Sequence, residues 1–209
     1  MASNYEKMAD QARALFLSYD QGEMIRRWGL AHDADALYVP FFTDRLRVDR
    51  RTARIAVDRS PIGYAPRDFV NETMVIFDLL TLAPERPHAC GRWASISMLG
   101  GIIGAGHDRT LSHEDTAERF SGKLDHLRLA CERLGGVSAG RADACFAVPV
   151  FEDFKILFQF WDGDDEFPAS VKYLFDENAL RFMHYETLWY VMNNVAARLD
   201  YFVNGEGRA

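Results

Sequence analysis

The chain has 209 residues, of which 48% are hydrophobic and 13% aromatic, and its formal net charge at pH 7 is −7. This length suits one large domain or two small ones, and the acidic balance, without a concentrated basic tract, argues against nucleic acid as a partner. The longest apolar runs fall far short of the roughly 20 residues that a membrane span needs, so no membrane role is expected.

The cysteines and the N-terminus indicate the compartment. Three cysteines, Cys90, Cys131 and Cys145, stand far apart in the sequence. Their odd number and wide spacing argue against a disulfide framework and against a CxxC metal site. The first residues, MASNYEKMADQ, contain no basic region followed by an apolar run, so no secretory signal is expected. The sequence therefore predicts a cytoplasmic protein with reduced thiols.

The first third of the chain changes from helical to strand periodicity. Ser3 and Glu6 have the spacing of a capping box and predict a helix over residues 4–19. A second short helix is expected to end at Gly29. Apolar residues then recur at every second position, which predicts strands with one solvent-exposed face. Pro40 indicates an edge strand, because proline has no N–H to donate to a sheet. The apolar face predicted for the first helix consists of Met8, Ala12, Leu15, Phe16 and Tyr19.

Prolines and glycines mark the predicted boundaries of elements in the middle of the chain. Pro66 and Asp68 predict the start of a third helix, and Pro84 predicts its end. The glycine-rich segment Gly100–Gly106 matches neither a P-loop nor a GxGxxG motif. It is interpreted as a surface loop, with anion binding at the following helix start as the alternative, and its role is left open.

The second half predicts one long helix, three strands and a last helix. The long helix carries apolar residues at helical spacing, namely Phe120, Leu124, Leu127, Cys131 and Leu134. Alternating apolar residues predict two strands around residues 154–160 and 171–175, after a strand at CFAVPVF. The last helix is expected from about Glu186. The whole pattern predicts a single α+β domain over residues 1–209, with a mixed or antiparallel sheet packed against several amphipathic helices.

The stretch FWDGDDEFP, residues 160–168, concentrates four carboxylates, on Asp162, Asp164, Asp165 and Glu166. Close-set carboxylates supply the oxygen ligands that Ca²⁺ and Mg²⁺ prefer. An EF-hand is excluded, because Phe167 and Tyr173 occupy the positions of its glycine and its bidentate glutamate. A looser divalent-metal site at these four carboxylates is one hypothesis, since unneutralised carboxylates this close repel one another.

The same stretch has two other interpretations. Asp162 and Gly163 form a turn-favouring pair and Pro168 holds Phe167 extended, which predicts a polar turn between two strands. Alternatively, rings beside carboxylates in a concave site can hold a flat ligand. The residues predicted to line such a ligand site are Trp161, Asp164, Glu166, Phe167 and Asp176. Asp176 joins the others only if the strands pair in a suitable register.

The C-terminal half resembles a known prokaryotic family, domain of unknown function 3786. The resemblance rests on the pattern W-x-G-D-x-E-F-P at Trp161–Pro168, on L-F-D at Leu174–Asp176, and on Glu186 before the last helix. The segments Tyr38–Phe42 and Gly91–Trp93 fit the same layout. Some relatives look fused to a cysteine-rich iron–sulfur segment that is similar to the one in corrinoid iron–sulfur proteins. The resemblance therefore implies a role in anaerobic one-carbon or corrinoid metabolism. The three cysteines of this chain do not form such a segment, so a redox partner would be a separate protein.

Three functional hypotheses follow. The leading one is a cytoplasmic domain that binds a small ligand or cofactor, as an accessory to corrinoid or one-carbon metabolism. The second is a divalent-metal-dependent enzyme that uses the acidic residues 162–166. The third is a protein-interaction module, in which homodimerisation hides an edge strand. The expected partners are a small molecule or a corrinoid-related protein, and the residues specify no particular cofactor.

Overall fold

The architecture is taken from a computed structural model of the chain, which describes residues 4–58, 63–67, 69–83, 85–100 and 113–205. Contacts within the chain define two compact units, Met1–His88 with Leu180–Val191, and Ala89–Ala179 with Met192–Ala209. Each unit combines helices with an antiparallel sheet. The predicted α+β class is therefore confirmed, while the single domain stays a prediction.

The described part of the first unit contains three complete α-helices, the start of the last helix of the chain and a five-stranded sheet. The helices are α1 (Asn4–Ser18), α2 (Gln21–Trp28) and α3 (Val70–Thr81). The strands are β1 (Ala31–His32), β2 (Ala36–Phe41), β3 (Asp44–Asp49), β4 (Ile55–Asp58) and β5 (Tyr64–Pro66). They lie in the sheet in chain order, each antiparallel to the next. Consecutive hairpins produce this order, because antiparallel neighbours need only short turns.

Local signals in the sequence explain the ends of α2 and the position of Pro40. The side chain of Asp20 accepts hydrogen bonds from the amides of Gly22 and Glu23, and Gly29 ends the helix with a φ of 63°. Such a left-handed φ favours glycine, which has no Cβ to clash. Pro40 pairs with Arg45 of β3, and it lies beyond the short ladder of β1. A residue without an N–H is tolerated where no second ladder runs.

Helices α1 and α3 pack against each other through an aromatic contact and a hydrogen bond. The rings of Phe16 and Phe77 lie 4.9 Å apart between centroids, and Arg13 donates to the hydroxyl of Thr73 at 3.4 Å. The predicted start of α3 at Pro66 is wrong, because Pro66 closes β5 by pairing with Ala56. Asp68 and Pro84 lie outside the described residues.

The second unit holds the other sheet and two more helices. The helices are α4 (His113–Phe120) and α5 (Leu124–Arg133). The strands are β6 (Trp93–Ser95), β7 (Val137–Ser138), β8 (Ala144–Phe151), β9 (Phe154–Trp161) and β10 (Ser170–Asp176). The sheet order is β6-β10-β9-β8-β7, antiparallel throughout. The inward faces of β9 and β10 are the predicted ones, with Phe154, Ile156, Phe158, Phe160, Val171, Tyr173 and Phe175 buried.

The one long helix predicted around Phe120–Leu134 is wrong, because the structure divides it. A break separates α4 from α5, and Gly122 adopts a φ of 70° there. The apolar spacing continues across the break, and Cys131 is buried as expected. Burial raises the pKa of the Cys131 thiol to about 12, which makes it a core residue and not a nucleophile.

Further helical segments lie before residue 101 and at the end of the described chain. A 3₁₀ helix spans Ile96–Leu99 and ends at Gly100, while residues 101–106 of the predicted glycine-rich loop lie outside the described residues. The last helix, α6 (Tyr185–Asp200), begins close to the predicted Glu186 and continues into a π-helix over Tyr201–Gly205. No helix in the described part of the chain is long and apolar enough to cross a membrane.

Candidate functional site

The acidic stretch forms the loop between β9 and β10, where residues 163–168 are all exposed. The Oδ1 atom of Asp162 accepts hydrogen bonds from the Ser121 hydroxyl at 3.1 Å and from the amides of Gly122 and Gly163 at 3.0 and 2.9 Å. The amide of Asp162 in turn donates to Asp143 at 2.8 Å. Asp162 therefore fastens this loop to the break between α4 and α5.

Asp164 closes the turn itself. Its Oδ1 atom accepts hydrogen bonds from the amides of Glu166 at 2.9 Å and Phe167 at 2.8 Å, and its own amide donates to the Phe167 carbonyl. These amide donors hold the pKa of Asp164 below its ordinary value. The carboxylate acts as an Asx turn, a local substitute for a backbone turn.

The four carboxylates predicted as metal ligands do not converge. In the described part of the chain, which includes the whole loop, no group of three His, Cys, Asp or Glu side chains is placed to hold an ion. Asp162 and Asp164 already accept backbone hydrogen bonds, and Asp165 and Glu166 are exposed. Because a calcium or magnesium site needs several converging oxygens, this arrangement does not fit one.

Asp176 lies at the other end of β10. Trp161 pairs with Ser170, whereas Asp176 pairs with Trp93 of β6. A strand rises about 3.3 Å per residue, so about 20 Å of β10 separates Asp176 from the acidic loop. The pairing does not bring Asp176 to the other residues of the predicted ligand site.

The surroundings of Asp176 explain why an aspartate is buried there, with 2% of its surface exposed. It accepts from the amides of Cys90 at 3.0 Å, Gly91 at 2.7 Å and Asn178 at 2.8 Å. Burial alone would raise the pKa of Asp176, but these amide donors outweigh burial and lower it. Asp176 thus fastens the segment before β6 to the end of β10.

The two rings of the predicted ligand site face water. Trp161 and Phe167 are 37% and 66% exposed. The loop exposes rings and carboxylates to solvent, and the carboxylates of Asp162 and Asp164 accept hydrogen bonds from backbone amides. The exposure is what the interaction hypothesis requires of the loop.

A cavity of about 510 Å³ lies within the first unit, between α1, α3 and the start of α6. Two helices contribute matching faces at i, i+3, i+4 and i+7, which is the spacing of one helix face. The cavity is lined by Met8, Gln11, Ala12 and Leu15 of α1, by Met74, Phe77, Asp78 and Thr81 of α3, and by His184, Glu186, Thr187 and Tyr190. The lining is mostly apolar, with a few polar groups.

A histidine–aspartate pair stands at this cavity. The Nδ1 atom of His184 lies 2.6 Å from Oδ1 of Asp78, and the His184 amide donates to Oδ2 at 2.7 Å. Only 12% of the Asp78 side chain is exposed, compared with 62% of the His184 side chain. Because an ionised carboxylate only accepts, this geometry places the proton of a neutral His184 on Nδ1 and leaves Nε2 as an acceptor.

Five further polar side chains line the cavity, namely those of Gln11, Thr81, Glu186, Thr187 and Tyr190. The Thr81 hydroxyl donates to the Phe77 carbonyl at 2.7 Å. Glu186 lies in the first turn of α6 and is exposed. Burial, together with the nearby Tyr5 and Glu186, raises the pKa of the Tyr190 phenol. An apolar wall with a few polar groups is the usual composition of a small-molecule site, and this volume lies within the usual range of about 300–1,000 Å³.

Sequence analysis did not identify this cavity, although one signal was present. The predicted apolar face of α1 includes Met8 and Leu15, which remain 38% and 47% exposed at the cavity. Only Ala9 and Phe16 of α1 are buried. An apolar face wider than the core requires is the signal that could have pointed to a cavity.

The comparisons with known proteins give one match. The family model described as domain of unknown function (DUF3786) matches residues 20–198. No curated protein and no solved structure is significantly similar to the chain.

Proposed function

The chain belongs to the DUF3786 family of domains of unknown function, and from this premise we propose that it is a binding domain for a small organic ligand. The observation that carries the proposal is the cavity of about 510 Å³ between α1, α3 and the start of α6. The Asp78–His184 pair supplies an oriented polar group beside the apolar wall. The binding site thus moves from the acidic loop, where the sequence had suggested it, to this cavity.

The size of the cavity limits the ligand. A ligand that is largely enclosed must be smaller than the cavity, and a corrinoid with its side chains is larger than 510 Å³. The proposal is therefore a compact molecule with an apolar body and one polar group. The accessory role in corrinoid or one-carbon metabolism stays a prediction from the family resemblance.

Binding of the neutral fluorescent dye Prodan tests the cavity directly. Its emission rises and shifts to shorter wavelength in apolar surroundings, so titration of the dye reports on occupancy. Ala12 lines the cavity, whereas Ala14 is an exposed residue of the same helix outside the lining set. We expect Ala12→Trp, which fills the cavity with an indole ring, to weaken Prodan binding at least about tenfold, or about 1.4 kcal/mol.

The matched control is Ala14→Trp, which places the same ring on the same helix outside the cavity. It should bind Prodan like the unaltered protein. Equal binding by all three proteins would show that the dye binds elsewhere, and absence of saturable binding to the unaltered protein would remove the cavity as a site. Hydroxocobalamin added as a competitor checks the corrinoid prediction in the same titration.

A further inference from the structure

Four polar groups of the cavity can accept hydrogen bonds from a ligand, namely those of Asp78, Thr81, His184 and Glu186. The Asp78 carboxylate and the Glu186 carboxylate have no proton to donate when ionised. Asp78 also fixes the His184 ring so that Nε2 of the neutral ring is an acceptor. The Thr81 hydroxyl has its proton engaged by the Phe77 carbonyl, which leaves its oxygen as an acceptor. A ligand that matches these four acceptors brings donors, while the side chains of Gln11, Thr187 and Tyr190 can themselves donate.

Apart from the titratable His184, the charged side chains of the cavity have one sign. The twelve described residues that line it include two carboxylates, on Asp78 and Glu186, and no Lys or Arg. The rest of the wall includes thioethers and the rings of Phe77 and Tyr190. Aromatic faces attract cations through their quadrupole, and carboxylates attract nearby cations by direct electrostatic interaction. The carboxylates of Asp78 and Glu186 would repel an anionic ligand.

We propose that the cavity selects a protonated primary amine carried on an apolar body. The ammonium group would donate to Glu186 and to Nε2 of His184, and the apolar body would lie against Met8, Leu15 and Met74. This inference rests on the proposed function, since it names the ligand class for the same cavity. It adds that charge and donor capacity, and not apolar fit alone, decide which small molecule binds.

Three probes with the same apolar body and different polar ends separate the proposal of an amine ligand from the proposal of a ligand-binding domain. They are 3-phenylpropylamine, 3-phenylpropanol and 3-phenylpropionate, each used to displace Prodan at fixed ionic strength. We expect the amine to bind about tenfold more tightly than the alcohol, and the carboxylate to bind more weakly than the alcohol. Equal displacement by the amine and the alcohol would overturn the amine proposal and leave the binding domain standing. Absence of Prodan binding would overturn both the amine proposal and the proposed binding function.

A matched pair of variants tests whether the cavity carboxylate is the cause. Glu186→Gln removes one of the two carboxylate charges at the cavity, while Glu23→Gln removes one charge from α2, outside the lining set. Both variants change the net charge equally, so a general attraction of amines to an acidic protein would respond to both. We expect Glu186→Gln to weaken amine binding about threefold or more without changing alcohol binding, and Glu23→Gln to change neither. Equal loss in both variants would attribute the preference to net charge and overturn the proposal.

Discussion

The β9–β10 loop and the cavity of the first unit use their carboxylates in opposite ways. In the loop, Asp162 and Asp164 accept amide hydrogen bonds from the turn and from the neighbouring helix break. At the cavity, Asp78 orients a histidine, and Glu186 lies exposed in the first turn of α6. The loop carboxylates maintain the fold, while the cavity carboxylates face a space that a ligand can fill.

This difference shows that density of charge along the sequence is a poor guide to a site. Aspartates followed by glycine and by exposed amides are also what turn formation requires. Side chains that stand close together in sequence meet through local turn geometry, whereas the cavity gathers residues from three distant segments. Substitutions that separate a role in stability from a role in binding therefore sharpen the comparison.

The largest effect is expected from Asp176→Ala. Removing this buried carboxylate leaves the part-buried amides of Cys90, Gly91 and Asn178 without their acceptor. Each hydrogen bond to a charged group contributes about 1.5–3 kcal/mol, so we expect a loss of about 3 kcal/mol or more in the free energy of unfolding. Urea denaturation measures this loss, and Prodan binding below the transition should be unchanged.

Glu177→Ala is the control for this substitution. Glu177 forms an exposed ion pair with Arg92 at 2.7 Å, and exposed pairs contribute about 0–1 kcal/mol. A loss from Asp176→Ala no greater than from Glu177→Ala would contradict the structural role. Loss of Prodan binding by folded Asp176→Ala protein would instead return Asp176 to the ligand site.

An intermediate effect is expected from Asp162→Ala. The substitution removes the acceptor for Ser121, Gly122 and Gly163 at the break between α4 and α5. The loss should resemble that of a helix cap, about 1–2 kcal/mol. Asp165→Ala, in the same loop but exposed, should stay within about 0.5 kcal/mol of the unaltered protein. Thermal denaturation of the two variants in parallel measures the difference.

Removal of metal ions distinguishes the structural role of Asp162 from the hypothesis that Asp162 is a metal ligand. A ligand that binds only the folded state stabilises it by about 2.7 kcal/mol at 100 times its dissociation constant. If Asp162 were a metal ligand, the effect of Asp162→Ala would require Ca²⁺ or Mg²⁺ and vanish in EDTA. We expect the same loss of stability in EDTA, in 10 mM CaCl₂ and in 10 mM MgCl₂ (roughly 100 times a 0.1 mM dissociation constant).

Much of the fold could be predicted because it depends on short-range patterns. The alternation of buried and more exposed residues in β9 and β10 depends on residues that are adjacent in sequence, and so do the caps of α2. The C-terminal motif also led to the correct family. The division of the predicted long helix was missed because its apolar spacing continues through Gly122, whose left-handed φ interrupts the backbone.

The cavity could not be predicted for a different physical reason. A helix face that is apolar at i, i+3, i+4 and i+7 looks the same whether it touches a partner or an empty space. Met8 and Leu15 fit such a face, and only the placement of α3 and His184 decides what they meet. His184 and Asp78 are far apart in sequence, so their hydrogen bond had no local signal. Sites of this kind depend on tertiary structure.

The smallest effect concerns the acid titration of Asp164, which tests the loop without altering it. Its amide hydrogen bonds stabilise the ionised form, so its pKa in the folded protein lies below the ordinary value. A carboxyl with a lowered folded-state pKa contributes stability above its unfolded pKa and loses it as the pH falls through the folded pKa. The side-chain carbonyl carbon, followed by NMR, should therefore titrate at lower pH in the protein than in a peptide of residues 160–168. Equal midpoints would mean that the amides do not hold the carboxylate, and the loop would again be open to the ligand role that its sequence suggested.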